Sequence, residues 1–460
     1  MNKLILCSAS IAAICTATPA LAEDIDPNEV RAELSAMKAA MEAMAARIAT
    51  LEGELEEAQA VAEEANAAAA AATATATEAA TKADSKQSKT SIAFKGAPEI
   101  KGEGGWSFKP RGRLQYDAGF VNAPDSTGRS DGFGNEVRRA RLGVQGDMPG
   151  GFGYKFELDF DGTEVAITDG FLSYEDGDLE LIVGQHNNFQ GLEELTSSLS
   201  ISHLERAAFT DAFGFQRRVG VSAQYGAGDI LLQGGVFTDA VDELSNQNWG
   251  ADGRIVYAPK VGETQLHFGG SIHFTDLEPG MTVRYRQRPA VHFTGERFIN
   301  TGNLGASSET GFGGEFAVIN GPFHVTGEAF WQNVNQPGAL TDPTFFGGYV
   351  EAGLFLTKGD SRGYKGGTFD RIKPESPVGE GGSGAVQVNV RYDRLDLSDA
   401  GIIGGTQDGI LASLIWSPTD WTRFMIGYAH LMYNDAVHPA AGGDTSYSVD
   451  SLGVRAQIDF

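Results

Sequence analysis

The stretch Phe152-Gly153-Tyr154-Lys155-Phe156-Glu157-Leu158-Asp159-Phe160 decides how most of the chain is read. Phe152, Tyr154, Phe156, Leu158 and Phe160 alternate with Gly153, Lys155, Glu157 and Asp159. Successive side chains of a strand point to opposite faces, so this is a strand with one apolar and one charged face. The pattern recurs on both sides of it. Phe108, Leu114, Tyr116, Ala118 and Phe120 oppose Lys109, Arg111, Arg113, Gln115 and Asp117. Leu266, Phe268, Ile272 and Phe274 oppose His267, Ser271 and His273, and Val386, Val388, Val390 and Tyr392 oppose Gln387, Asn389, Arg391 and Asp393. An antiparallel sandwich also alternates, with one face in its core. A transmembrane barrel adds segments near ten residues, aromatics at their ends, and turns that alternate short and long.

The chain meets those additional conditions. Strands are predicted near 108–121, 137–147, 152–161, 167–175, 179–188, 216–226, 229–238 and 249–258. Eight more fall near 264–274, 310–319, 323–334, 345–357, 385–397, 407–416, 421–433 and 447–460. Sixteen is an even count, which returns both ends to one side of a membrane. Links such as 147–151, 175–178, 226–228 and 417–420 are short, whereas 122–136, 189–215, 239–248, 275–309 and 434–446 are long and fall opposite. The segment 358–383 breaks the rule, being long on the short-turn side. Trp416 and Trp421 flank one short turn, as an interfacial girdle requires. The expected fold is therefore all-β: a 16-stranded antiparallel transmembrane β-barrel over 91–460.

One stretch, 282–293, resists a strand assignment. Arg284, Arg286 and Arg288 share one side, but Gln287 and Pro289 suit a lipid-facing central strand badly. It reads as part of a long loop, either solvated or laid along the lumen wall as a spaced row of guanidiniums.

Two different segments precede the barrel. Met1–Ala22 has Lys3, an apolar run and Ala20-Leu21-Ala22, the signature of a cleaved signal peptide. Both cysteines, Cys7 and Cys15, lie within it, so the mature chain has no thiol for disulfides, catalysis or metal binding. Residues 23–90 form a helical coiled coil and an Ala/Thr-rich linker. Val30, Leu34, Met37, Met41, Met44, Ile48, Leu51 and Leu55 repeat at alternating spacings of four and three, and Ala58, Ala62, Ala65, Ala69 and Ala72 continue the seam. The alternative is an amphipathic helix folded onto a domain.

Composition agrees once the barrel is recognised. Gly, 60 of 460 residues, is nearly twice the usual share of about 7% and argues against a mainly helical enzyme. The formal net charge of −26 disfavours nucleic acid as a partner. No apolar run beyond the leader approaches the roughly 18–20 residues of a spanning helix, but a barrel spreads its apolar surface over alternate residues.

The barrel region resembles the phosphate-selective porin O/P family of Gram-negative outer membranes. The resemblance is carried by Val137-Arg138-Arg139-Ala140, the run Gly191-Leu192-Glu193-Glu194-Leu195-Thr196-Ser197-Ser198, Leu204-Glu205-Arg206 and the Arg284-x-Arg286-x-Arg288 row. Phe369-Asp370-Arg371-Ile372-Lys373-Pro374-Glu375 and the terminal Phe460 complete it. It implies a trimeric outer-membrane channel whose loop 189–215 folds inward as a constriction. It also implies that Asp169, Ser197, Ser198 and Arg206 hold the anion, and that Arg138, Arg139, Lys155, Arg284, Arg286 and Arg288 guide it. By alternation alone, Arg111, Arg113, Arg139, Arg141 and Lys155 face the lumen, with Arg138 adjoining them. Arginine suits oxyanions because its planar fork donates two hydrogen bonds.

Glu194 and Leu199 stand where phosphate-specific members carry lysines around the constriction. An acid in a narrow site weakens oxyanion binding, since charges there are poorly screened. The expected function is passive diffusion of small solutes, anions such as phosphate foremost, through an Arg/Lys-lined lumen. The readings beside it are a weakly selective porin or a channel for another small solute, and an envelope tether in which the coiled coil reaches cell-wall polymer or a periplasmic partner. Enzyme motifs are missing: there is no His-Glu-x-x-His, Gly-x-Ser-x-Gly or P-loop. Asp159-x-Asp161-Gly162 opens like a calcium loop but lacks its other ligands, so no metal or cofactor is expected.

Overall fold

The computed structural model describes residues 27–83, 90–162, 164–243, 247–338 and 340–460. The predicted leader, 1–22, and the end of the Ala/Thr-rich linker, 84–89, lie outside the described residues. The chain divides into two units, Met1–Ser88 and Lys89–Phe460. In the first, one helix, α1, runs Pro27–Ala83. Its proline sits at the start, where the missing N–H costs nothing. Leu34, Met41, Met44, Ile48, Leu51 and Leu55 are all exposed along it.

The second unit is a closed antiparallel barrel of sixteen strands. They are β1 Ser107–Asn122, β2 Gly132–Met148, β3 Phe152–Asp159, β4 Ala166–Asp176, β5 Leu179–Asn187, β6 Arg217–Ala227, β7 Ile230–Phe237 and β8 Trp249–Tyr257. There follow β9 Thr264–Asp276, β10 Ser308–Asn320, β11 Phe323–Asn335, β12 Thr344–Phe355, β13 Ala385–Asp399, β14 Ile402–Thr419, β15 Thr422–Asn434 and β16 Tyr447–Asp459. Each pairs with its neighbour in sequence, and β16 returns to β1 with Val454 opposite Ala118. Closure leaves no open edge, so every spanning backbone group finds a partner without water. Phe460 completes the seam, exchanging backbone hydrogen bonds with Gly112 at 3.0 and 3.1 Å.

Alternation sorts the side chains as the sequence requires. Leu114, Tyr116 and Phe120 are exposed on the outer face, whereas Gln115 and Asp117 between them are buried within. Several strands outrun their apolar stretches: β2 begins at Gly132 rather than 137, and β14 spans Ile402–Thr419 rather than 407–416. Apolar alternation marks only the lipid-facing part, while the hydrogen-bond ladder continues into polar flanks.

The stretch expected as a loop, 275–309, is one between the end of β9 and the start of β10, and inside it Thr282–Val283 pairs with Leu304–Gly305 and Arg286 bridges to Asn300. Its Tyr285, Val291, Phe298 and Ile299 join Phe209, Phe213, Phe330, Phe345, Leu395 and Tyr433 in an apolar core within the barrel. Phe209 stacks on Phe330 at 5.9 Å, and Phe213 meets Tyr285 edge-on at 5.4 Å. The rule-breaking segment 358–383 holds a small hairpin, Gly363–Lys365 with Thr368–Asp370, and buries Phe369 and Ile372.

Candidate functional site

Strands β1 to β3 turn a row of cations inward. Arg111 and Arg113 come from β1, Arg139 and Arg141 from β2, and Lys155 from β3. Arg113 stands directly opposite Arg141, a like-charge pair that costs energy unless compensated. Arg141 is compensated, by Asp159 at 2.5 Å and Glu157 at 3.2 Å. Alternation predicts that Arg138 points away from Arg139, but a bulge in the β1–β2 ladder at Gln115/Tyr116 adds one residue to β2. A bulge re-aims a side chain, and both arginines line the same cavity.

Segment 189–215 lies against the inward-facing residues of the wall. It contains α2, Leu192–Leu195, and α3, Ala208–Ala212. Glu328 of β11 accepts the backbone N–H groups of Leu192 and Glu193 at 2.8 and 2.7 Å. Glu193 in turn accepts from Arg391 at 2.5 Å and from the Ala207 N–H at 2.9 Å. Gln115 donates to the Ser198 carbonyl at 3.2 Å, Arg423 to Leu199 at 2.8 Å and also to Ile201, and Ser413 to Ser202 at 2.6 Å. Arg362, from the long segment after β12, donates to Ser202 Oγ and the Ser200 carbonyl at 2.8 and 2.7 Å. Buried backbone without such partners would be prohibitively costly. Gly347 makes room for the loop, since a Cβ there would fall 2.3 Å from that of Phe209.

Between this loop and β1–β3 is a cavity of about 540 Å³. Nine basic side chains line it: Arg111, Arg113, Arg138, Arg139, Arg141, Lys155, Arg206, Arg217 and Arg288. Four acids do so: Glu157, Glu194, Glu205 and Asp211. Most cations have a carboxylate partner. Arg138 forms a two-pronged pair with Glu205 at 2.8 and 2.9 Å. Glu205 also receives Arg455 at 3.0 Å. Burial pushes the Glu205 carboxyl up, but Arg138, with Arg139 and Arg455, pulls it well below the usual range. Among the described residues that line this cavity, three guanidiniums have no ion pair: Arg111, which donates to Gln145; Arg139, which donates to Gln115 at 2.9 Å; and Arg113. Arg113 donates to Ser198 Oγ at 2.8 Å and Ser197 Oγ at 3.4 Å, and its Nε has no partner. A second cavity of about 200 Å³, toward the short-turn side, is lined by Lys109 and Glu99 and shares Lys155.

The residues singled out from sequence thus have different fates. Asp169 does not line the larger cavity; it is clamped between Lys155 at 2.5 Å and Arg217 at 2.8 Å, and so fixes two cations that do. Ser197 and Ser198 line the cavity and receive Arg113. Arg206 lines it too, but donates to the main-chain carbonyls of Glu193, Glu194 and Thr196 at 2.9, 3.1 and 2.8 Å. Arg288 reaches the cavity and pairs with Asp211 at 3.1 Å. Arg284 and Arg286 are exposed outside the lining, Arg284 donating to Asn300 at 2.9 Å. Arg217 escaped the sequence reading, although the doublet Arg217-Arg218 opens a strand much as Arg138-Arg139 sits near the start of another.

The family described as phosphate-selective porin O and P matches residues 108–460. The chain belongs to that family. It is an outer-membrane porin. An uncharacterized protein of Caulobacter vibrioides is 47% identical to this porin over 392 residues, 82% of this chain and 79% of that one. Among solved structures, the anion-selective porin of Comamonas acidovorans aligns at 16% identity over 77% of this chain and all of its own, with a TM-score of 0.48. The outer membrane channel DcaP of Acinetobacter baumannii aligns at 15% identity over 78% and 99%, with a TM-score of 0.46. OmpT of Vibrio cholerae in its trimer form aligns at 11% identity over 77% and 100%, with a TM-score of 0.47.

Proposed function

We propose that this porin passes small anions by passive diffusion, through a lumen narrowed by segment 189–215. The carrying observation is the cavity in which Arg111, Arg113 and Arg139 stand without carboxylate partners beside Ser197 and Ser198. A low-dielectric wall concentrates the field of uncompensated charge and draws counter-ions in. The paired cations shape the site, and the three unpaired ones supply its net sign. Lys155, shared with the second cavity, links the narrow zone to the short-turn side.

Glu194 in the same lining speaks against strict phosphate selectivity, and Leu199 adds no charge to restore it. The functional unit on this reading is a homotrimer, exported after loss of residues 1–22. The exposed seam of α1 supports a coiled coil between copies, because six large apolar side chains along one stripe gain most by meeting their like. Planar-bilayer recording of the purified full-length protein tests the proposal. Reversal potentials under a KCl gradient are expected to show chloride preference. Cation preference would overturn the anion assignment, no preference would leave a weakly selective porin, and no conductance steps would overturn the pore. The second reading, an envelope tether built on α1, is separable from conduction by experiment. Deleting 23–89 separates the two: unchanged conductance with a detached envelope is the signature of tethering.

A further inference from the structure

The cavity's one acid without a hydrogen-bond donor is unexplained by simple anion passage. Among the described residues, Glu157, Glu205 and Asp211 each accept from a lining or neighbouring side chain. Glu194 does not. Arg206 Nε lies 3.4 Å from its carboxylate, but the hydrogen bonds of that guanidinium go to three main-chain carbonyls. The Glu194 side chain is only 12% exposed, and what remains open faces the cavity. A carboxylate held in low dielectric without donors is costly. Burial accordingly pushes its carboxyl up, against the attraction of Arg206, Arg217 and Arg139.

On the same loop, Ser198 receives Arg113 and so marks the cationic pole. Ser198 lies four positions beyond Glu194, at most about 14 Å were that link extended, and less with Leu195 still in α2. Glu194, Ser198 and Arg113 all line the one cavity, so a solute held there meets both poles. An ammonium brings three donors and no acceptor, which is what Glu194 lacks.

Building on the anion-pore reading, we infer that the cavity is bipolar and favours solutes carrying an ammonium beside an oxyanion, with Arg113 and Ser198 taking the oxyanion and Glu194 the ammonium. A plain oxyanion is attracted by Arg113 and repelled by Glu194. An amine-bearing one is attracted by both.

The test compares blockers that differ by one amine, on the full-length porin in planar bilayers. Half-blocking concentrations of the chloride current are measured at pH 7 for 2-aminoethylphosphonate against ethylphosphonate, and for taurine against ethanesulfonate. In the wild type the amine-bearing member of each pair is expected to block at about fivefold lower concentration, the scale of one partly screened ion pair. Glu194→Gln should bring both ratios to about one. Wild-type ratios at or below one overturn the inference, whether or not the variant assembles. Ratios that persist in Glu194→Gln overturn the role of Glu194. A porin that prefers chloride yet shows no amine effect leaves the anion reading standing, whereas cation preference removes its foundation.

Discussion

Replacing Arg113 by Gln is the most direct test of what sets the sign of this pore. The variant removes one positive charge and leaves the loop anchored by Gln115, Arg423, Ser413 and Arg362, none of which depends on Arg113. At about 6 Å from a passing ion, with an effective dielectric of about 40 for a wet lumen, one charge is worth about 1.4 kcal/mol. Screening at about 0.15 M salt roughly halves this over that distance, to about 0.65 kcal/mol. That is about threefold in local chloride, and about threefold the other way in potassium. The chloride-over-potassium permeability ratio should therefore fall by about ninefold, read from reversal potentials under a KCl gradient. Arg286→Gln serves as the comparison, because Arg286 is exposed and outside the cavity lining. An unchanged ratio in Arg113→Gln, or an equal fall in Arg286→Gln, would refute the assignment of the sign to the β1–β2 wall.

Four further outcomes are expected. Glu194 loses its charge at a higher pH than an exposed glutamate, because burial holds its carboxyl up; chloride preference should rise on acidification through that range, and Glu194→Gln should abolish the rise in reversal-potential titrations. Glu205→Gln frees Arg138 and takes one of two partners from Arg455, loosening segment 189–215 by about 1–3 kcal/mol, visible as faster hydrogen exchange across the loop. Gly112→Ala would set a Cβ 2.1 Å from the Phe460 ring at the barrel seam, so the yield of folded, heat-modifiable barrel should drop on gel electrophoresis. Ile48→Asp with Leu55→Asp places charges on the α1 seam and should weaken cross-linking between copies while leaving single-channel conductance intact.

Local chemistry makes the barrel legible in the sequence. Alternation such as that of Phe152–Phe160 is imposed by lipid on one side and polar lumen on the other, and each strand carries it independently. Gln287 and Pro289 mark 282–293 as loop in spite of its alternation, whereas the count of sixteen and the sorting of Arg111, Arg113, Arg139, Arg141 and Lys155 onto one face follow from the strand periodicity. The bulge that brings Arg138 beside Arg139 does not, because it depends on how β1 and β2 are registered against each other. Nor does the apolar core within the barrel: Leu395 and Leu397 face inward against a strict polar-lumen rule, covered by residues from distant loops.

What the sequence determined by itself is the fold and the inventory of charge on each face, because strand periodicity is a property of neighbours along the chain. Which cations remain uncompensated was decided only by the tertiary structure. The family resemblance implies Asp169 and Arg206 as anion-site residues; in the structure Asp169 clamps Lys155 and Arg217, and Arg206 donates to loop carbonyls. Arg113, Arg139 and Glu194 stand out only by what they fail to meet. Pairing of that kind joins residues up to hundreds of positions apart, and low dielectric makes each pairing decisive for the field that an ion feels.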